Sequence, residues 1–235
     1  LTTNGSQLDK TAQDLKLAGV KRINISLDSL NADKFNMLTR IGELEQVLKG
    51  IQAAKSVGFA RLKINAVILK NRNDEEVTNL VQYAVDNEID ISFIEEMPLG
   101  LVSEHNRAES YYSSQFIKKD LARSFNLVSI PEKTGGPSKY FQLNGTNTRV
   151  GFISPHSENF CSTCNRVRLT AEGRLLLCLG NEHSVDLKRV LRANPGDSDV
   201  LKQAIIESMK IKPEKHEFNL KEQPVILRHM SVTGG

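Results

Sequence analysis

The chain has 235 residues, 39% of them hydrophobic and 25% charged, which allows one large domain or two small ones with a sizeable core. Lys and Arg number 31 against 28 Asp and Glu, and a net charge of +3 is too small to argue for nucleic acid or a membrane surface as partner. The 3 cysteines lie between Cys161 and Cys178, too few and too clustered for a secreted disulfide framework; they favour a reducing compartment and a metal site, and no apolar run reaches the length of a membrane span.

Leu1 to Gly5, LTTNG, reads as a strand end running into a turn, because Asn-Gly punctuates structure and a helical pattern follows at once. With no initiator Met, charged n-region or apolar h-region at its start, it is expected to carry no signal peptide, and its start within an element leads us to expect that upstream sequence is missing. Gln7 to Ala18 has helical spacing and ends at Gly19; Arg22 to Leu27 is strand-like, and a polar turn covers Asp28 to Asp33. Glu43 to Val57 is a strongly periodic helix that closes at Gly58. The cycle repeats with a β-branched strand at Arg61 to Leu69, an acidic helix start at Asn73 to Glu76, an apolar helix face along Val77 to Val85 and a strand at Ile89 to Glu95.

Strand and helix alternating at this interval predict βαβ units and a parallel sheet, whose reactive residues collect beyond the strand C-termini. That points to Thr2, Thr3 and Asn4, then Ser26 and Asp28, Lys63 and Asn65, and Glu95, Glu96 and Met97, all on one face. From about Pro98 the character changes. A polar segment runs to Ser114, a helix is predicted at Gln115 to Phe125, and Pro131 to Pro137 is rich in turn residues. Tyr140 to Leu143, Arg149 to Ile153, Arg166 to Leu169 and Arg174 to Leu177 read as antiparallel hairpins, followed by helices at Ser184 to Leu191 and Asp197 to Met209.

In FCSTCNRVRLTAEGRLLLCLG, Cys161 and Cys164 form a C-x2-C turn, and a hairpin from Arg166 to Leu177 returns Cys178 toward them. Two readings stand side by side. One is a structural zinc with His156 or His183 as fourth ligand; the other is an iron–sulfur cluster held by three thiolates, with one iron open to a substrate. Arg166 and Arg168, two apart on a strand, share a face, and their guanidinium groups either hold a phosphate or purine edge or merely balance charge on a solvated strand.

The residues LTTNG, NISLDS at Asn24, LKINAVI at Leu62, FIEEMPLG at Phe93, the cysteine run and the terminal Gly234-Gly235 occur in an order specific enough to name a family. The chain resembles, over essentially its whole length, the GTP 3',8-cyclase family of molybdenum cofactor biosynthesis, within the radical S-adenosylmethionine enzymes. The resemblance implies an α/β fold: a partial radical-SAM TIM-like β/α barrel with a C-terminal extension of antiparallel strands and helices carrying a second 4Fe-4S cluster. Residues 1-100 would be the C-terminal part of the barrel, without its first strands and first 4Fe-4S cluster, and 101-235 the region for GTP and the auxiliary cluster. Cys161, Cys164 and Cys178 would hold that second cluster. Ser26 and Met97 would contact S-adenosylmethionine, while Thr2, Lys63, Arg166, Val167 and Arg168 would contact GTP. Arg166, Arg168, Gly234 and Gly235 would serve catalysis, the glycine tail reaching into the active site.

The implied reaction has a 5'-deoxyadenosyl radical remove the 3' hydrogen of GTP, after which the carbon radical attacks C8 of guanine. A cytoplasmic homodimer, with cyclic pyranopterin monophosphate synthase downstream and no nucleic-acid or membrane partner, completes the expectation. Each residue also has a plainer reading. Ser26 and Thr2 cap turns, Met97 fills core, and the glycines end a frayed terminus. Lys63, by contrast, is costly without an anion in a parallel strand buried on both faces.

Two departures bear on the expectation. The family's first-cluster C-x3-C-x2-C is absent, so the chain alone is expected to be inactive. Ser92 stands where many members carry an arginine that assists phosphate binding, leaving Lys63 or Arg61 to compensate. The rival readings are a peptide-maturing radical enzyme with an auxiliary cluster, and a non-catalytic zinc-bound nucleotide-binding module.

Overall fold

The computed structural model describes residues 1–235 except Ser103, Lys133, Gln223, Val225 and 231–235, so Gly234 and Gly235 lie outside the described residues. The chain forms two compact units, one of residues 1–96 with 109–158 and one of 97–108 with 159–235. The reading from sequence divides the chain by the character of its elements near residue 100; by packing, residues 109–158 group with the first ninety-six.

In the first unit β1 (Thr2–Thr3), α1 (Leu8–Leu17), β2 (Arg22–Ser26), α2 (Ala32–Thr39), α3 (Leu44–Val57), β3 (Arg61–Val67), α4 (Val77–Asp86) and β4 (Asp90–Ile94) follow one another. Past the short α5 (Arg107–Ser110) come α6 (Ser114–Leu121), β5 (Leu127–Ser129), β6 (Lys139–Leu143) and β7 (Arg149–Ile153). The seven strands form one sheet in the order β1-β2-β3-β4-β7-β6-β5, parallel from β1 through β4 to β7 and antiparallel beyond. The fold is thus mixed α/β with a mostly parallel sheet.

Ile23, Ile25, Leu62, Ile64, Ile91, Phe93, Val150 and Phe152 alternate along their strands and form a single core with apolar residues of α1, α3, α4 and α6. A Cβ on Gly50 of α3 would stand 2.4 Å from the carbonyl oxygen of Gly5, so the helix lies against the β1–α1 turn only because that side chain is missing. The alternation of burial in β2 and β3 shows that helices cover one face of the sheet. The other face is polar.

Three expectations are corrected here. Arg149–Ile153 is no simple hairpin strand: it pairs in parallel with β4 on one side and antiparallel with β6 on the other. The stretch after Asp28 contains α2, capped by the Asn31 side chain, which accepts from the Lys34 amide; only Phe35 of this helix is buried, so it shows no apolar period. Ser184–Leu191 is not one helix.

In the second unit β8 (Arg168–Leu169), β9 (Arg174–Leu176) and β10 (Ser184–Asp186) form an antiparallel sheet, followed by α7 (Leu187–Ala193) and α8 (Ser198–Lys210). Asp186 ends β10 and caps α7 by accepting from the Arg189 amide, which sets the boundary inside the stretch read as helical. Leu175, Leu177 and Leu187 form a small core beneath α8. Among the described residues no helix is long and apolar enough to cross a membrane.

Candidate functional site

The polar face of the first unit is built row by row, because residues in register on neighbouring strands point the same way. Thr2, Asn24 and Lys63 are in register across β1, β2 and β3; Ser26, Asn65, Ser92, Gly151 and Tyr140 form the next row across β2, β3, β4, β7 and β6. Asn24 Nδ2 donates to Thr2 Oγ1 at 3.3 Å, and Lys63 Nζ to the Tyr140 hydroxyl at 3.3 Å, which spans the sheet from β3 to β6. The hydroxyls of Ser92 and Ser138 meet at 3.0 Å in the space that a Cβ on Gly151 would fill. Burial would raise the Tyr140 phenol, but the Lys63 ammonium and the hydrogen bonds around the hydroxyl hold it below the usual tyrosine range.

Among the described residues the buried Asn65 Oδ1 has no hydrogen-bond partner. Lys63 itself comes from the middle of β3 rather than a strand end and is only partly buried. The burial cost expected from sequence does not apply to it, since its face of the sheet is polar. It sits where an anion laid along the rows would meet a cation.

Other residues assigned to this face serve the fold. Glu95, fully buried, accepts from the backbone amides of Ser114, His156 and Ser157 and from the Ser157 hydroxyl. Glu96 accepts from the Ser110 hydroxyl at 3.4 Å, and Asp28 from the Val67 amide at 2.8 Å. Burial pushes the Asp28 carboxyl up to about 6, against an ordinary 3.8, the Val67 bond opposing. Because the folded value is the higher, the folded state binds the proton more tightly, and its contribution to stability is full below pH 3.8 and lost as pH rises through 6. Asp28→Asn should therefore gain about 2 kcal/mol relative to the parent chain across that interval. Urea melts at pH 4 and pH 7 check this; equal differences at the two would refute it. Met97 opens the second unit, its carbonyl accepting from the Leu99 amide at 2.8 Å.

The second unit carries the cysteines. Cys161 and Cys164 bracket a single turn in which the Cys164 amide donates to the Cys161 carbonyl at 3.0 Å, and the β8–β9 hairpin returns the chain at Cys178. All three are free thiols at intermediate burial. Burial raises the Cys178 thiol, and the neighbouring charges of Cys161 and Cys164 raise it further, which places the three in one electrostatic neighbourhood.

Burial would raise Cys164 as well, but the Arg166 amide and guanidinium and the Lys212 charge bring it below its ordinary value. Arg166 Nη2 donates to Cys164 Sγ at 3.4 Å, and its guanidinium lies 4.8 Å from the centre of the Phe160 ring. Arg168 is half-buried like Arg166, while Val167 between them is exposed, as strand alternation requires. Burial, then the like charge of Arg166, lowers the Arg168 guanidinium.

Among the described residues no three His, Cys, Asp or Glu side chains converge as they would on a single ion. His183 is exposed, and His156 of the first unit pairs through Nε2 with the Glu96 carbonyl at 2.9 Å. Three soft thiols beside the Arg166 and Lys212 charges are the residues of this unit that could hold a metal centre.

Asn24, Ser138, Tyr140 and Lys212 are additions to the residues expected from sequence. Asn24 was legible, since it alternates with Ser26 along RINIS. Tyr140 and Ser138 reach the face only through pairing between strands remote in sequence, and Lys212 lies in a charge-rich stretch that reads as a solvated face.

The Molybdenum Cofactor Synthesis C family model matches residues 89–218, and the Radical SAM superfamily model residues 1–84. The GTP 3',8-cyclases of Pseudomonas fluorescens (strain Pf0-1) and Pseudomonas entomophila (strain L48) are 57% and 59% identical over 236 residues, 100% of this chain and 71% of each relative. That of Saccharophagus degradans is 56% identical. The crystal structure of Streptococcus suis SuiB matches 90% of the chain with a TM-score of 0.56 at 15% identity, and SuiB bound to S-adenosylmethionine matches 100% with 0.54 at 14%. The chain spans 48% and 59% of those two structures, a likeness of fold alone.

Proposed function

We propose, from the premise that this chain belongs to the GTP 3',8-cyclase family of the Radical SAM superfamily, that it converts GTP to (8S)-3',8-cyclo-7,8-dihydroguanosine 5'-triphosphate in molybdenum cofactor biosynthesis. Its first unit supplies part of the partial β/α barrel. S-adenosylmethionine and a 4Fe-4S cluster supply the radical that takes the 3' hydrogen of the ribose. Cys161, Cys164 and Cys178 would hold a second 4Fe-4S centre, which would supply an open iron for the guanine.

The observation that carries this reading is the thiol group itself: Cys161 and Cys164 share one turn, the β8–β9 hairpin returns Cys178, and Arg166 Nη2 donates to Cys164 Sγ at 3.4 Å. Three soft thiolates favour a cluster with one iron left for a substrate over the zinc module, which takes a fourth protein ligand.

The residues divide the work by charge. Lys63 offers its ammonium to the triphosphate, with Thr2, Ser92 and Ser138 as neutral partners on the same face, so that small hydroxyls and one lysine serve where an arginine would otherwise reach from position 92. Arg166 and Arg168, with Val167 between them, orient the base and offset charge beside the thiolates. Ser26 and Met97 contact S-adenosylmethionine, and the Gly234-Gly235 tail serves the site. Holding the ribose carbon and C8 in one fixed geometry is the protein's own contribution to rate. The reading includes a cytoplasmic homodimer and a downstream cyclic pyranopterin monophosphate synthase.

The test is GTP consumption by the full-length protein, reconstituted without oxygen and given S-adenosylmethionine. Lys63→Met should lower kcat/KM for GTP about 10- to 100-fold, since a hydrogen bond to a charged group is worth roughly 1.5–3 kcal/mol. GTP left untouched by the parent protein would overturn the assignment, and conversion of a peptide substrate would favour the peptide-maturing rival.

A further inference from the structure

The stretch directly after α8 makes five hydrogen bonds to the cysteine hairpin and its flanks. Lys212 Nζ donates to the carbonyl of Arg166 at 2.9 Å and also to that of Leu177. These carbonyls lie two residues after Cys164 and one before Cys178, on the two arms of the hairpin. Farther along, Asn159 donates from Nδ2 to His216 Nε2 at 3.0 Å while its Oδ1 accepts from the Cys161 amide at 2.8 Å. The Glu217 amide donates to the Gly180 carbonyl at 2.8 Å, and Asn181 Nδ2 to Glu217 Oε1 at 2.7 Å, both just past Cys178. A Cβ on Gly180 would come within 2.7 Å of His216 Cβ and of the Phe218 ring, so the loop and this stretch are in close contact. Every cysteine thus has one of these anchors within two residues.

We infer that residues 212–218 form a strap that holds the three thiols toward one another, with Lys212 as its positioning residue and as a fixed positive charge beside the centre. The geometry gives Lys212 both roles. Its ammonium bridges the carbonyls of Arg166 and Leu177, which places its charge on backbone two residues from Cys164 and one from Cys178. This rests on the iron–sulfur reading above for the second role but not for the first.

The two roles separate by substitution in the full-length protein. Lys212→Met removes donors and charge, Lys212→Gln keeps donors without charge, and Lys212→Arg keeps both. The iron and sulfide bound at the site are taken as the difference from a Cys161→Ser/Cys164→Ser/Cys178→Ser control. They should fall several-fold in the Met variant, stay near the parent level with Arg, and be largely retained with Gln. A nearby cation favours the reduced, more negative state, so with Gln the reduced-to-oxidised ratio at fixed potential should drop about tenfold, or about 59 mV for a one-electron couple. An unaltered potential would overturn the charge role.

In the metal-free protein, mild oxidation by oxidised glutathione joins Cys178 to Cys161 or Cys164 only as far as the strap keeps the hairpin's arms together, and the yield of that disulfide, mapped by peptide mass, should fall several-fold in the Met variant. An unchanged yield overturns the strap, whether or not the protein binds iron. A parent protein that binds no iron above the triple-serine control overturns the iron–sulfur reading and the charge role with it.

Discussion

Replacing Arg149 with methionine should lower the free energy of unfolding by about 3–5 kcal/mol, the usual cost of stripping the partner from a buried ion. Arg149 and Asp90 are 3% and 5% exposed. The Arg149 amide and Nε each donate to Asp90 Oδ1 at 3.1 Å, Nη2 closes a fork on Oδ2, and Nη1 faces Glu132. Burial alone would lower the Arg149 guanidinium; Asp90 and Glu132 hold it above its ordinary value instead. With the Arg149 side chain gone, Asp90 keeps the backbone amide of residue 149 and, among the cations of the described residues, Arg61 at 3.2 Å, whose side chain is 44% exposed and screened by water. Urea titration of Arg149→Met checks the magnitude, and Arg149→Met combined with Asp90→Leu should recover most of the loss. A loss below about 1 kcal/mol would mean that Arg61 alone compensates.

Glu95→Ala should cost a comparable amount, because it orphans four donors at once and each buried unpaired group costs about 1–3 kcal/mol. Burial would raise the Glu95 carboxyl, but the amides of Ser114, Ser157 and His156 and the Ser157 hydroxyl together hold it below its usual 4.5. A lowered folded value stabilises the fold above the unfolded value and is lost as pH falls through the folded one. The penalty of Glu95→Ala relative to the parent should therefore be largest at neutral pH and shrink on acidification below 4.5. Thermal melts at pH 7 and pH 4 read the difference; a penalty that grows toward acid would contradict the hydrogen-bond account.

These two sites show where sequence stops being informative. Glu95 was legible as a residue at the end of a strand, and the strand, its helices and the alternation that puts Ser26, Lys63 and Asn65 on one face all follow from local period. Its role was not, because the donors come from Ser114 and from Ser157, 62 residues away. Arg149 likewise looks like the first residue of a hairpin strand until β7 is seen beside β4. The C-x2-C turn and the returning hairpin were readable from spacing; the lysine joining the hairpin's arms from beyond α8 was not, since nothing local distinguishes it from its charged neighbours.

The pairing of β4 with β7 also bears on how the chain acquires its fold. The partners Asp90 and Arg149 stand 59 residues apart, so the central parallel pair closes a long loop and must form late relative to the local β2–β4 units. During synthesis β4 stays an open edge, apolar at Ile91 and Phe93, until β7 has left the ribosome. A chain ending before Arg149 would keep that edge exposed for good, and such truncations are expected to accumulate in inclusion bodies rather than as soluble fragments.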